Sequence, residues 1–425
     1  MNEREFEQRL RKTTLAYQPR FREDERPVMI EVGEAAHTPA GHALICGLVN
    51  QMARTHRHLV LVGNLECPLL CPDPFGHQGL VAASAGLAQD INPMIVVDVV
   101  EQLPRTEAIA RLGIGARGEL SLGCKGWNAL LANDGETALV GEEASDTWGA
   151  MLASCLGAWF AFQRLLGETS QPLPDYSLWD FGKPGGMTGP ALAGPLNAGR
   201  VLQVGAGGVG AALGYWLGLV GPEGEWTVVD GDVVEVENLN RQLLFLAADA
   251  GYPNGPAANK AERVATRLGA RVRASEQWYG EEPAVVEAGY DVLLALANER
   301  GAREALQDRR PDLLLHATTS ANHQAQFHRH VRDLDDCIRC RIPGEVAQLR
   351  CGGGSVAQIQ DDAALPYLSG LAGLLLLAGL ARASVGDLAQ MPRNLASIDL
   401  STKTPAAQQV VARCREGCRG SGVPH

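Results

Sequence analysis

A glycine-rich turn after an apolar run constrains the fold of this chain more than any other feature. Residues 201–204 have the pattern of a buried strand, and four glycines follow at once: Gly205, Gly207, Gly208 and Gly210. Such glycines let a strand turn sharply into a helix and let backbone N–H groups approach a phosphate. The pattern predicts a nucleotide-binding fold. It does not name the nucleotide, because Asp230 after the next strand would also suit the ribose of NAD.

Apolar strands alternate with helical patterns from residue 200 onward. We expect strands at 200–204, 225–229, 271–277, 291–295 and 313–316, and helices at 208–219, 257–268 and through 303–307. This alternation is typical of a doubly wound, mostly parallel α/β sheet with helices on both faces. Ligands of such sheets bind at the carboxyl ends of the strands, which places the glycine turn and Asp230 at one edge.

The first half shows a similar but less regular pattern. Helices are expected at 41–56 and 146–166, and strands at 58–63 and 94–100. The run LVLVGNLE has one glycine where a phosphate loop needs several, so this half is predicted to be a second, degenerate α/β domain without a nucleotide. A stretch dense in Pro and Gly separates the halves. The expected organisation is an inactive N-terminal domain (1–170), a linker (171–199) and an active domain (200–425).

Composition excludes some classes of function. The formal net charge of −12 argues against nucleic acid, whose binding needs clustered Lys and Arg. The apolar window 371–380 is too short to span a bilayer, so we expect a buried helix and no membrane. The N-terminal residues lack the apolar core of a secretory signal, which predicts a cytoplasmic protein. Ten cysteines then suggest thiols, metal ligands or a nucleophile rather than disulfides.

The segment DGDVVEVENLNRQLLF, residues 230–245, bears on the choice of nucleotide. After Asp230 and Asp232 come Asn238, Asn240, Arg241 and Gln242, followed by Lys260 at the start of a helix. Two cations beside a glycine loop suit a triphosphate whose negative charge grows as it is attacked. A solvated loop with a capping Asn explains any one of these residues, but not the ordered set.

This order of motifs resembles the ThiF/MoeB and ubiquitin-activating enzymes, which adenylate the C-terminal glycine of ubiquitin-like proteins. The resemblance covers residues 200–425 and implies ATP as the nucleotide. It implies that Asp230 holds the ribose, that Gln242 shapes the pocket, and that three residues contact phosphates, namely Asn238, Arg241 and Lys260. An arginine from an N-terminal helix reaches ATP in relatives, and here Arg4, Arg9 and Arg11 are candidates.

One position departs from the family pattern. The family has an Asp that serves Mg²⁺ where this chain has Asn298. An amide oxygen still binds a hard cation but lacks the charge. Either Glu299 or Asp232 assists the metal, or the magnesium site is weaker.

Two close cysteine pairs are candidate zinc ligands: Cys337 with Cys340, and Cys414 with Cys418. Four thiolates brought together by a fold suit tetrahedral Zn²⁺. The resembling family carries two Cys-x-x-Cys pairs at these places, which implies structural zinc. A redox-active or accidental pairing is the alternative. Cys67 and Cys71 in the first half are expected to lack further metal-binding partners.

Cys351 stands alone in a glycine-rich segment, with Arg350 beside it to favour the thiolate. In compact ubiquitin-activating relatives the thioester-forming cysteine lies in this crossover loop, so the resemblance implies that Cys351 is the nucleophile; a free loop thiol is the alternative. A cluster of four histidines consists of His316, His323, His328 and His330. We expect them to be structural, because His316 closes a strand and the other three follow polar residues on a surface segment; a zinc or acid/base role is the alternative.

The sequence therefore favours an activating enzyme for a ubiquitin-like protein. It would adenylate the terminal glycine with Mg²⁺-ATP, form a thioester on Cys351 and transfer the protein to a conjugating enzyme, as would suit a bacterial antiviral conjugation system. Three alternatives stay open. They are sulfur-carrier activation for thiamine or molybdopterin synthesis with a dispensable Cys351, a non-catalytic scaffold for a ubiquitin-like protein, and, least favoured, an NAD oxidoreductase. Family members commonly form homodimers, although the first half here could replace a partner chain.

Overall fold

The computed structural model describes residues 1–11, 25–133, 135–168, 172–320, 323–341 and 365–414. These residues form two eight-stranded sheets with the same strand order. In each sheet the first five strands across are parallel, and the remaining strands are antiparallel. The doubly wound, mostly parallel α/β fold and its second α/β unit are thus confirmed.

The first sheet has the order β3-β2-β1-β4-β5-β6-β7-β8. Its strands are β1 Val28–Val32, β2 His58–Val62, β3 Val96–Val100, β4 Ala110–Ile114, β5 Leu120–Lys125, β6 Asn128–Asn133, β7 Tyr176–Ser177 and β8 Lys183–Pro184. The helices of this half are α1 Glu3–Leu10, α2 Pro39–Met52, α3 Leu87–Ile91 and α4 Thr147–Leu165. Helix α2 begins after Thr38, whose Oγ1 accepts the Gly41 N–H at 3.0 Å, with proline at the first helical position.

The second sheet has the order β11-β10-β9-β12-β13-β14-β15-β16. Its strands are β9 Leu196–Val204, β10 Pro222–Val229, β11 Val272–Ser275, β12 Val292–Ala295, β13 Leu313–Thr319, β14 Gln324–Val331, β15 Leu395–Asp399 and β16 Ala406–Val410. The helices are α5 Gly208–Val220, α6 Lys260–Leu268, α7 Pro283–Glu287, α8 Arg300–Asp308, α9 Ile338–Arg341 and α10 Pro366–Ser384. The strands and helices expected from the βα alternation are present in this half.

Two expectations about local structure are wrong. In the shared strand order, β1 takes the place of β9, which precedes the glycine turn. The counterpart of that turn in the first sheet is therefore the loop after β1. The LVLVGNLE run instead includes β2, which takes the place of β10. The segment that carries His328 and His330 is not a surface segment but β14, which pairs with strands on both sides. Both side chains are 3% exposed. Because most residues of β14 are polar, the sequence pattern did not indicate a strand in the interior of the sheet.

Helix α10 is the expected buried helix. By length and composition it could cross a membrane, yet 89% of its most apolar window is buried inside the fold. It packs against α5, α4, β13 and β14. An apolar surface on all sides suits a helix at the centre of a large core.

One continuous apolar core extends through both halves. Hydrogen bonds cross between them: Trp159 Nε1 donates to Leu400 O at 3.1 Å, and Tyr176 Oη donates to Pro405 O at 3.0 Å. The Pro/Gly-rich stretch is packed as well, since Trp179 is only 5% exposed. The division into residues 1–170, 171–199 and 200–425 stays a prediction.

Candidate nucleotide site

The strand order of the second sheet reverses at β9, which lies between β10 and β12. Open α/β sheets bind ligands in the crevice at the carboxyl ends of the strands where this reversal occurs. Gly205 directly follows β9 with φ +106°, and a Cβ there would lie 2.6 Å from Ala297 N in the loop after β12. Only glycine therefore allows these two loops to approach each other.

The next glycines open the N-terminus of α5. A Cβ on Gly210 would lie 2.3 Å from Gly205 O, so the turn requires glycine there too. Apart from Gly207 and its chain neighbours, no described atom lies within 4 Å of the position that a Gly207 Cβ would take. Gly207 caps the 13-residue helix, so the space beside this cap is open among the described residues. This geometry suits an anion at the positive end of a helix.

Asp230 lies at the carboxyl end of β10 and is held by two backbone donors. Its Oδ2 accepts the Ala206 N–H at 2.6 Å and its Oδ1 accepts the Asp232 N–H at 2.9 Å. Burial raises the pKa of Asp230, while the Lys260 cation opposes the shift. The carboxylate is thus fixed beside the glycine turn, where an acid in this fold holds a ribose.

Lys260 reaches the same edge from the first turn of α6. Its Nζ lies 2.8 Å from Asp232 Oδ2, and the residue is 6% exposed. Asn259 caps the helix by accepting the Glu262 N–H, and its own Nδ2 donates to Asp230 O at 2.9 Å. The cap therefore ties the helix that carries the lysine to the acidic turn.

Arg241 lies against the glycine turn. A Cβ on Gly208 would lie 3.8 Å from its side-chain Cγ and Cδ. Its Nη1 donates to Glu237 O at 3.0 Å and to Asn240 Oδ1 at 2.9 Å. The structure thus brings Arg241 to the helix N-terminus from a segment 33 residues further along the chain.

Asn238 and Gln242 lie deeper than Arg241. Asn238 is 5% exposed, and its Oδ1 accepts the Glu235 N–H at 3.0 Å. That contact closes the short 3₁₀ turn Val236–Asn238. Gln242 is 2% exposed. Their visible contribution is to shape the segment from which Arg241 projects.

Helix α1 brings an arginine to this segment. Arg9 Nη2 lies 2.6 Å from Glu237 Oε2. Arg11 instead is buried and donates to His56 O at 2.8 Å, and Arg4 is exposed. The sequence left these three arginines unranked because only the docking of α1 separates them.

Asn298 is exposed in the loop after β12 and directly follows Ala297, which the Gly205 turn approaches. Arg303 Nε holds this loop by donating to Ala297 O at 2.6 Å. The Asp232 carboxylate and the Asn298 amide oxygen are hard donors at one sheet edge. This donor chemistry fits Mg²⁺.

Sequence reasoning missed Trp278, which lies three residues past β11. The residue is 48% exposed, and a Cβ on Gly231 would lie 2.8 Å from its indole ring. An exposed aromatic ring therefore flanks the turn between Asp230 and Asp232. The signal that could have identified it is a tryptophan after the carboxyl end of a strand at the ligand-binding edge.

Three of the four expected zinc ligands come together: Cys337, Cys340 and Cys414 have their sulfurs within 4.8 Å of one another. The Cys337 and Cys414 sulfurs are 3.7 Å apart. Tetrahedral Zn²⁺ with Zn–S bonds of about 2.3 Å places two sulfurs at close to this separation. The Cys337 N–H also donates to Cys414 Sγ at 3.3 Å. Cys418 and Cys351 lie outside the described residues.

The expectation that Cys67 lacks partners is wrong, because His37, His42 and Cys67 offer ligand atoms within 4.8 Å of one another. Cys67 Sγ lies 3.7 Å from His37 Nδ1. However, His42 Nδ1 accepts the Leu70 N–H at 3.1 Å. The neutral ring then keeps its proton on Nε2, so neither nitrogen offers a lone pair to a metal.

Fold and site together define an α/β protein with a crevice at its strand reversal whose glycine turn and helix N-terminus suit a phosphate. The ThiF family model matches residues 186–418. The chain therefore belongs to the ThiF family, as its motifs indicated.

Individual relatives are similar over shorter stretches. The SAMP-activating enzyme E1 of Haloferax volcanii is 47% identical over 70 residues, which cover 16% of this chain and 26% of that protein. The adenylyltransferase and sulfurtransferase MOCS3 of Mus musculus is 32% identical over 173 residues, or 38% of this chain and 36% of that protein. The chain thus spans well under two thirds of the length of either relative.

One solved structure is that of the Microcin C7 biosynthetic enzyme MccB in complex with N-formylated MccA. It is 14% identical, covers 72% of this chain and 98% of that chain, and superposes with a TM-score of 0.39. The superposition is partial, and the strand order described above defines the fold.

Proposed function

We propose that this chain adenylates the C-terminal carboxylate of a ubiquitin-like protein with ATP. The observation that carries the proposal is the placing of two cations, Arg241 and Lys260, beside the glycine turn and Asp230. In the proposed step a carboxylate oxygen bonds to the α-phosphorus of ATP. The bond from this phosphorus to the bridging oxygen breaks, and pyrophosphate leaves. Relatives named as an activating enzyme and an adenylyltransferase support this class of reaction.

Each side chain has a separate task in this step. Asp230 binds the ribose, and the N–H groups at the start of α5 bind phosphate oxygens. Arg241 stabilises the negative charge that grows on the phosphates. Lys260, which is paired with Asp232 at 2.8 Å, exchanges this partner for a phosphate oxygen when the nucleotide binds.

Two metals belong to the proposal. Asp232 and Asn298 would hold Mg²⁺, which supplies positive charge next to the phosphates. Cys337, Cys340 and Cys414, with Cys418, would hold structural Zn²⁺ through four thiolates. The 3.7 Å separation of two of the sulfurs supports zinc in that role.

We further propose a second step at Cys351. Its thiolate attacks the acyl carbon of the adenylate, the bond to the phosphate oxygen breaks, and AMP leaves as the thioester forms. Transfer to a conjugating enzyme follows. We also propose that this reaction takes place in the cytoplasm, that it belongs to an antiviral conjugation system, and that the chain forms a homodimer.

Sulfur-carrier activation is the second candidate function, since one relative is named both adenylyltransferase and sulfurtransferase. ATP–pyrophosphate exchange tests the shared first step. The purified chain would be assayed with ubiquitin-like proteins and with sulfur-carrier proteins, each ending in glycine. Exchange with neither class, together with binding of NAD, would contradict the proposed function.

A further inference from the structure

Arg54 belongs to the first half, but its guanidinium lies within the backbone of the second half. It follows α2 and is 0% exposed. Its Nη1 donates to Leu239 O at 2.5 Å, and its Nη2 donates to Leu243 O at 2.9 Å and Phe245 O at 3.2 Å. Its Nε donates to Asn50 Oδ1 at 3.0 Å. The guanidinium is thus bound by four neutral oxygens.

Asn50, one turn earlier on α2, reinforces this contact. Its Nδ2 donates to Leu243 O at 3.1 Å, so that carbonyl accepts two hydrogen bonds from the first half. Buried carbonyl groups of irregular segments need such partners. Burial lowers the pKa of Arg54 to about 9, which leaves it charged at neutral pH. The buried Arg54 cation therefore needs these carbonyl oxygens as acceptors, and the carbonyl groups need Arg54 as a donor.

The segment that Arg54 holds, residues 239–245, is the one that carries Arg241. Leu239 and Leu243 are 0% exposed and turn into the core, whereas Arg241 turns toward the glycine at the start of α5. Fixing the carbonyl groups on the inner side therefore fixes the direction in which Arg241 leaves the backbone. The first half thus contacts, through Asn50 and Arg54, the inner side of the segment that carries Arg241.

We propose that Arg54 is a positioning residue that holds residues 239–245 so that Arg241 faces the bound triphosphate. The inference rests on the proposed function, because it gives Arg241 its phosphate partner. The first half then has a task in the reaction, although it is not expected to bind a nucleotide itself. A small displacement of a charge-stabilising group lowers a rate strongly, because such groups act only in the correct geometry.

The test uses Arg54→Lys in the full-length chain, which keeps the charge but loses the planar fork that spans three carbonyl groups. The matched control is Arg382→Lys. Arg382 is also buried, at 7% exposure, and also crosses between the halves by donating to Trp179 O at 2.6 Å. We expect kcat for ATP–pyrophosphate exchange to fall by on the order of tenfold or more in Arg54→Lys. The control should stay near wild type.

A second measurement does not depend on activity. Amide hydrogen–deuterium exchange of the peptide that covers residues 239–245 should be faster in Arg54→Lys than in wild type and unchanged in Arg382→Lys. Unchanged deuterium exchange in Arg54→Lys overturns the inference, as does wild-type kcat with faster exchange. Equal losses in both variants also overturn it, since they indicate general destabilisation. A wild-type protein without pyrophosphate exchange contradicts the proposed function instead, and the deuterium data still decide whether Arg54 holds the segment.

Discussion

At the scale of single residues, the two cations of the crevice differ in what holds them. Lys260 is buried against Asp232, whereas Arg241 is bound by backbone and amide oxygens. The Asp232 side chain is 53% exposed, so this partner of Lys260 lies at the surface of the crevice. Both cations lie beside the space that a polyphosphate would occupy at the start of α5.

We predict that Arg241→Ala or Lys260→Ala lowers ATP–pyrophosphate exchange by on the order of a hundredfold or more, because each removes a cation that faces developing phosphate charge. Circular dichroism should show that the fold persists. Arg263→Ala is the control: it lies on the same helix but pairs with Asp249 at 3.2 Å. Exchange that survives both substitutions would place the nucleotide elsewhere.

Cys351 supplies a second residue-scale prediction, because adenylation and thioester formation are separate steps. Cys351→Ala should keep pyrophosphate exchange near wild type and abolish the reductant-sensitive adduct with the ubiquitin-like protein. A non-reducing gel after incubation with ATP measures the adduct.

Cys67→Ala is the control for this experiment, since burial raises the pKa of the Cys67 thiol and disfavours the thiolate. An adduct that persists in Cys351→Ala would move the nucleophile to another cysteine. No adduct even in wild type would favour sulfur-carrier activation.

The sequence predicted those site residues that occur in a fixed order within one motif and also lie close together in space. Gly205 follows β9, and Asp230 and Lys260 both lie between β10 and β11, so the order of strands and helices brings them to one edge. Arg54 and Trp278 could not be found in this way. Arg54 reaches the segment that carries Arg241 only through packing between the halves, and Trp278 reaches the crevice only through the loop after β11.

At the scale of elements, the expected zinc site joins α9 to the residues after β16. Three thiols are present there, and we predict about one Zn²⁺ per chain in protein purified without added zinc. Cys337→Ser should lose the metal and lower thermal stability, because folding and metal binding are coupled.

Cys71→Ser serves as the control for metal content, since Cys71 lies outside this cluster. Metal analysis by mass spectrometry measures the outcome. A Cys337–Cys340 disulfide in metal-free protein would contradict the zinc prediction.

The pair β13 and β14 yields a prediction about pH. His316 is 0% exposed, and burial lowers its pKa well below the usual value. The unfolded chain takes up a proton as pH falls through about 6.5, and the native chain does not. Stability should therefore be lost as pH falls below about 6.5, by at most about 1.4 kcal/mol per pH unit from each such histidine.

Urea unfolding at pH 7.5 and pH 5.5 measures this loss. His316→Asn should show a smaller fall in midpoint than wild type, whereas His58→Gln, on a partly exposed residue of β2, should show the same fall as wild type. A wild-type midpoint that does not change between the two pH values would contradict the prediction.

Strand β14 also shows why some elements could not be predicted from the sequence. Five of its eight residues are Gln, His or Arg, a composition that resembles a solvated segment. Yet His328, Arg329 and His330 are buried, and Arg329 lies 2.8 Å from Asp335. Burial by tertiary pairing is not encoded in the local pattern. The apolar strands of the βα alternation were predictable because burial and local pattern agree there.

At the scale of the whole molecule, the two halves repeat one strand order and share one large interior. Most core residues of both halves belong to one cluster, and two smaller clusters each lie within a single half. Helices α2 and α5 approach closely, since a Cβ on Gly47 would lie 3.2 Å from the Trp216 ring. Each half therefore covers apolar surface that the other would expose to water.

From this shared core we predict that the chain unfolds in a single transition. Tryptophan fluorescence and far-ultraviolet circular dichroism should report the same urea midpoint, because neither half keeps its packing once the other unfolds. Tyr176→Phe removes the hydrogen bond to Pro405 O, and Asn50→Ala removes one to Leu243 O. Each substitution should lower the urea midpoint, and both probes should report the same lowered value. Lys183→Ala, on an exposed residue of β8, should leave it unchanged. Two separated transitions, or a variant that shifts only one probe, would show that the halves fold independently and that the first half is not an integral support of the nucleotide crevice.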